Sequence, residues 1–216
     1  PALVSSRRAI GIYGFGGASL LLFVFIGFRY QTGGDWWNYN ESVLLSYGIP
    51  FSEVLSAQKY EPLYALLNWF GANQFGGLVF VNSVCALIFS FLLLRFCRSQ
   101  PNPWLALMLA IPYLVIVVAM GYTRQSVAIA FEMVALLAIQ AGQTFRFILL
   151  IFAGSLFHRP VLSLLTLVIF NSQSLFLNLP RRVTQLVKLL LTVAASYGFY
   201  SANIAQFMSF VKGYQG

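Results

Sequence analysis

The stretch FRYQTGGDWWNYN at 28–40 puts an arginine, a carboxylate and five aromatics into thirteen residues of a chain that is only 8% charged. Three other stretches each place an acid, a cation or a base among apolar residues: EPLY at 61–64, GYTRQSVA at 121–128 and SLFHRPVL at 155–162. Arginine is a permanent cation whose planar fork grips a phosphate through parallel hydrogen bonds, so Arg29, Arg124 and Arg159 are candidate phosphate ligands. A carboxylate or an imidazole takes the proton from an attacking hydroxyl, which makes Asp35, Glu61 and His158 the acid or base candidates. Trp36, Trp37 and Tyr39 offer flat apolar faces for a sugar ring, and Gln125 adds a neutral polar contact beside Arg124. Together these types suit a phosphorylated, sugar-bearing lipid and an acid–base step without a metal.

Each residue also has an ordinary explanation. Arg29 closes an apolar run and could snorkel to headgroups. Asp35 follows Gly33 and Gly34, where a helix N-cap fits as well as a catalytic carboxylate. Trp36, Trp37 and Tyr39 match an interfacial aromatic belt equally well. Glu61 precedes Pro62 and so suits a helix start. A lone His158 is more often a packed, hydrogen-bonded residue, and Lys59 reads as solvated. Arg124 and Gln125 resist this treatment, because they sit in a nearly continuous apolar region where a snorkelling arginine has little freedom. Glu132, seven residues after Gln125, falls on nearly the same helix face, either as a neutral acid bonded across helices or as a cavity floor.

The elements that must position these groups follow from composition. Of 216 residues, 59% are hydrophobic, whereas a soluble domain carries about 25% charge. Uncharged runs approach or exceed the ~20 residues that a helix needs to cross ~30 Å of hydrocarbon, and they do not alternate as barrel strands do. The expected fold is therefore all-α, a polytopic transmembrane helical bundle in one domain, 1–216. Seven spans are expected, roughly 9–28, 76–94, 104–122, 124–142, 144–157, 160–178 and 188–210. The uncharged stretch 62–94 would be ~50 Å as one helix, too long for one crossing and short for two. Residues 62–75 are accordingly expected as a re-entrant or interfacial helix that completes an outer loop, 29–75. This assignment leaves Arg7, Arg8, Arg95, Arg98, Arg146, Arg181, Arg182 and Lys188 cytoplasmic, in keeping with the positive-inside rule, with the N-terminus inside. Span 144–157 reaches only ~21 Å, which sets His158 and Arg159 deep in the outer half.

Other chemistries lack their residues. One histidine and two cysteines far apart do not make a zinc site, and no paired Asp-x-Asp, Gly-rich phosphate loop or Gly-x-Ser-x-Gly elbow is present. Neither metal nor cofactor is expected. The formal charge of +8 does not point to nucleic acid, since the basic residues stand singly or in pairs between apolar runs. Cys85 and Cys97, ~18 Å apart along one helix, are too far apart for a disulfide unless that helix breaks between them, and say nothing about compartment.

In order along the chain, FRYQTGGD, EPLY, GYTRQSVA and SLFHRPVL resemble the motifs of the Wzy-type polysaccharide polymerases, specifically the EpsG-like branch, over residues 28–165. That pattern is an RY-x-x-G-x-D stretch after the first span, an EP-G-Y, an RQ opening a span and an FH-x-S closing a later one. Leu63 stands where the family tends to have Gly, and Arg159-Pro160 replaces the usual residues after His. The resemblance implies a GT-C-like membrane glycosyltransferase on the outer face of a bacterial cytoplasmic (inner) membrane. It would move a glycan from a polyprenyl-diphosphate-linked oligosaccharide onto another lipid-linked repeat unit, building exopolysaccharide, capsule or O-antigen without a metal. It also implies a longer natural chain and other polysaccharide-assembly proteins as partners. A lipid-linked glycan ligase, or a transporter or flippase of the same lipid, would use the same residues.

Overall fold

In the computed structural model, residues 2–57, 60–171, 183–191, 193, 194 and 197 are described. Among them every regular element is helical. The expected seventh span, the later part of the sixth, and Lys59, Arg181, Arg182 and Lys212 lie largely or wholly outside the described residues.

The uncharged run that follows Arg8 makes up most of α1, Ala2–Gly27, which packs along α5, Leu78–Arg98. Small residues let the two helices close up. A Cβ added at Gly27 would lie 3.1 Å from the Ser83 backbone. Helix α5 is the hub, touching α1, α4, α6 and α7. It is also the one helix among the described residues long and apolar enough by itself to cross a membrane. Tyr13–Gly27, Pro103–Ala119, Thr144–Ser155 and Arg159–Val168 are shorter apolar helices.

Between α1 and α5 the chain forms α2, Trp36–Leu45, a short turn with α3, Val54–Ala57, and α4, Pro62–Asn73. The uncharged run is thus divided, as its length required. Pro62 opens α4 at a position where its missing N–H costs nothing. Gly77, at φ +65, turns the chain back, and its N–H donates to the Gly71 carbonyl at 2.9 Å. Gly71 has to be glycine there, because a Cβ would meet that Gly77 carbonyl oxygen at 2.8 Å.

Helix α6, Pro103–Ala110, starts under an Asn102 cap, whose side-chain oxygen accepts from the Leu105 N–H at 3.4 Å. It runs on as a widened π-helical segment, Ile111–Ala119. Pro112 explains the change: its ring removes one backbone donor and crowds the carbonyl four residues back, so the helix widens to keep its remaining bonds. Helices α7, Thr123–Gln140, and α8, Thr144–Ser155, form an antiparallel pair turned by Gly142 at φ +72. Phe147 and Ile151 pack against Ala128, Ala135 and Ala138. A 3-10 segment, Arg159–Leu165, then leads into α9, Thr166–Asn171.

The outer surface carries exposed Leu21 and Phe25 on α1, Leu87 and Phe91 on α5, and Met108 and Leu109 on α6. Apolar exposure spread over three helices suits a hydrocarbon environment.

Candidate functional site

Helix α4 brings two of the motifs together. The Leu63 N–H, left free in the first turn of α4, donates to the Leu156 carbonyl at the end of α8 at 3.1 Å. This bond seats EPLY on SLFHRP. Glu61, just ahead of Pro62, is buried and uses both oxygens: Oε2 accepts from Arg124 Nη1 at 2.6 Å, and Oε1 accepts from the Arg159 backbone N–H at 3.3 Å. Arg124 occupies the first turn of α7, and its guanidinium carbon lies 4.2 Å from the centre of the Tyr60 ring and 5.8 Å from that of Tyr64. Aromatic faces stabilise a cation in such a position without neutralising it. Its Nε is buried and has no hydrogen-bond partner among the described residues.

His158, half-buried at the start of the 3-10 segment, joins the same field. Burial lowers its pKa below the usual histidine value, the Arg124 cation lowers it further, and Glu61 opposes both. The His158 Nδ1 is buried without a partner among the described residues. Arg159 is exposed, as is Gln125.

The FRYQTGGD stretch reaches the cluster through glycine. Gly33, at φ +99, lies so close to the Met120 carbonyl and the Gly121 backbone that no Cβ fits. The loop is thereby pinned to the entrance of α7. Asp35 then stands at the start of α2, half-buried. Its side chain makes no capping bond to the backbone, and instead Oδ1 accepts from Asn38 at 3.4 Å and Oδ2 from the Tyr39 hydroxyl at 3.5 Å. Burial pushes the Tyr39 hydroxyl up to about 12, and the nearby Arg124 cation works against that rise. Asp35, Tyr39, Arg124 and Glu61 thus form one electrostatic series.

Two expectations take a different form in space. Arg29 is buried to 7% exposure, with Nη1 donating to the Ala119 carbonyl at 2.7 Å and Nη2 donating to Asn82 Oδ1 at 3.3 Å and to the Thr123 hydroxyl. It ties α1, α5, the π segment and α7 together one residue before Arg124, and its guanidinium does not join the Glu61 cluster. Of the aromatics, Trp36 and Tyr39 turn into the core, Tyr39 with its ring 5.7 Å from that of Tyr64, while Trp37 is 65% exposed. Only Trp37 of the three presents an open face. Glu132 is partly buried, with no hydrogen bond or ion pair among the described residues.

Sequence reading assigned no part to Tyr60, Tyr64, Asn82 or Thr123, which position the two arginines. Asn82 was the available signal, as an amide inside an apolar run needs a partner.

Among the described residues the elements are all helical, one is long and apolar enough to cross a membrane, and a partly buried arginine is paired with a buried acid, features that suit a membrane protein. The EpsG family model matches residues 15–215, and the chain belongs to the EpsG family. It is accordingly a membrane protein of polysaccharide biosynthesis. No match was found among the curated proteins. None was found among the solved structures.

Proposed function

We propose that this chain is a metal-independent glycosyltransferase that polymerises polyprenyl-diphosphate-linked oligosaccharide repeat units on the outer face of the bacterial cytoplasmic membrane. The observation that carries the reading is the convergence of Arg124, Glu61, His158 and Arg159 from three separated parts of an apolar chain. Ionisable groups gathered at membrane depth are costly and normally serve a substrate or a path.

In this reading the diphosphate of the donor lipid enters at Arg124 and Arg159. It competes with Glu61 for the Arg124 fork, and the unpartnered Nε gives it a second donor. The acceptor hydroxyl oxygen attacks the anomeric carbon of the donor sugar and forms the new glycosidic bond. The bond from that carbon to the diphosphate breaks, and its electron pair leaves with the polyprenyl diphosphate, whose growing charge the guanidinium groups stabilise. The hydroxyl proton passes to a base. Asp35 is assigned that part, because its carboxylate holds only the two long bonds, whereas Glu61 is committed to Arg124 and Arg159. Trp37 supplies the stacking face for the acceptor sugar. Arg29 is assigned a positioning part, fixing the start of α7 and with it Arg124. The single domain, the seven spans and the cytoplasmic N-terminus belong to this proposal.

The test is reconstitution of the purified chain in liposomes with one defined lipid-linked repeat unit, followed by separation of the glycans by length. A ladder of multiples is expected. Movement of unextended lipid across the bilayer with no ladder would replace the polymerase with a transporter, and a single transfer with no further growth would replace it with a ligase.

A further inference from the structure

At the opposite end of α5 from the Arg124 cluster, a groove of about 490 Å³ runs between α1 and α5, lined by Phe15, Gly16, Ser19, Phe91, Leu94 and two arginines, Arg95 and Arg98. Its walls are apolar and aromatic, its lip is cationic, and both arginines are exposed. Neither guanidinium has a hydrogen-bond or ion-pair partner among the described residues. No acid stands on α1 or α5, since the chain's five carboxylates are Asp35, Glu41, Glu53, Glu61 and Glu132. Arg95 comes seventeen residues after Leu78, ~26 Å along the helix axis, close to the ~30 Å of a hydrocarbon core. The cations therefore stand at phosphate depth while the groove beside them runs into the apolar layer. From Asn82, which holds Arg29, to Arg95 is ~20 Å, so this is a separate place from the candidate catalytic cluster.

We infer that the α1–α5 groove is a binding site for an anionic bilayer phospholipid, with its phosphate held by Arg95 and Arg98 and an acyl chain laid over Gly16 and against Phe91. The inference rests on reading α5 as a membrane span. The groove has room for the chain: an added Cβ at Gly16 meets nothing within 4 Å. Phe15, buried and with its ring centre 4.3 Å from that of Trp104, gives the floor a fixed shape. A free phosphate would use the arginines and leave the apolar wall uncovered, and a neutral lipid would use the wall and leave the cations unpaired. Only a ligand with both parts satisfies the whole surface.

The experiment is native mass spectrometry of the full chain in detergent, titrated with dioleoyl phosphatidylglycerol or dioleoyl phosphatidylcholine. Phosphatidylglycerol is expected to be retained preferentially, with roughly a fivefold loss for either Arg95→Gln or Arg98→Gln and roughly thirtyfold for both. Gly16→Leu keeps both charges and fills the groove, so it should also lower retention, and it serves where the double variant does not elute as folded protein. Equal retention of the two lipids, or variants that retain phosphatidylglycerol like the parent, would overturn the inference. So would displacement by millimolar inorganic phosphate, which would mark an ion site, or preferential retention of polyprenyl phosphate over phosphatidylglycerol, which would mark a carrier-lipid site. Retention is read without any glycan substrate. A parent chain that elongates normally but shows no preference for phosphatidylglycerol defeats this inference alone, and a parent chain that retains phosphatidylglycerol but does not elongate defeats the proposed reaction alone.

Discussion

Replacing Arg124 with lysine separates a diphosphate grip from a helix anchor. The ion pair with Glu61 spans 2.6 Å with side chains 21% and 10% exposed, and the cation lies 4.2 Å from the Tyr60 ring centre. Lysine retains a positive charge for both contacts, so the fold should lose less than with a neutral residue. Alanine would be less informative. It leaves Glu61 buried without its counter-ion, which typically costs about 3–5 kcal/mol and confuses unfolding with inactivity. What lysine lacks is the planar fork and the additional Nε donor. If these hold the departing diphosphate, losing one such contact to developing charge costs about 3 kcal/mol in the barrier, roughly a hundredfold in rate. The assay is the glycan-length ladder from purified Arg124→Lys protein in liposomes with defined lipid-linked repeat units, with the elution profile as the folding control. Elongation about a hundredfold slower in a normally eluting variant is expected. A folded variant that elongates at the parent rate would refute the diphosphate role and leave Arg124 as an anchor for Glu61.

Asp35→Asn should abolish elongation while leaving binding of the lipid-linked donor largely intact, as measured by co-elution, because the amide preserves shape but accepts no proton. A variant that retains most of its rate would return the base to Glu61 or His158. Arg29→Gln should act on the fold first, since the Ala119 carbonyl, Asn82 and Thr123 all lose a buried charged donor. A melting temperature lower by several degrees and a broadened elution profile are expected, and an unshifted melting curve would contradict the positioning part. Cysteines introduced singly by Thr32→Cys, Ser99→Cys and Gln143→Cys, with the buried Cys85 and Cys97 replaced, should react with a membrane-impermeant thiol reagent in intact cells at position 32 only. Labelling at position 99 would reverse the span assignment and move the Arg124 cluster to the cytoplasmic side.

The features legible in the sequence were those that depend on spacing along the chain. The length of the uncharged stretch 62–94 required a break, and the break occurs between Asn73 and Leu78. The short apolar segment before His158 required a short helix, and α8 has 12 residues. The meeting of EPLY, GYTRQ and SLFHRP was legible because a chain with few charges has few ways to satisfy them. Features that depend on which helix face meets which were less visible. Trp36, Tyr39 and Val43 fall at helical spacing and are all buried, so WWNY had to be read along a helix rather than as one aromatic block. Arg29 finds Asn82 and Thr123 across 53 and 94 residues, a pairing set by the packing of α1, α5 and α7. Pro112 in an otherwise continuous apolar run was the sign of the widened segment, and a count of apolar residues passes over it.

The central claim is that the Arg124 fork exchanges Glu61 for a lipid diphosphate. Its most direct test is an experimental structure of the full chain with a non-hydrolysable lipid-linked diphosphate analogue. A phosphate oxygen is expected within hydrogen-bonding distance of Arg124, about 2.7–2.9 Å, with the Glu61 contact lengthened and the sugar end directed toward Trp37 and Asp35. A diphosphate bound elsewhere, with the Arg124–Glu61 pair still at its present 2.6 Å, would contradict it.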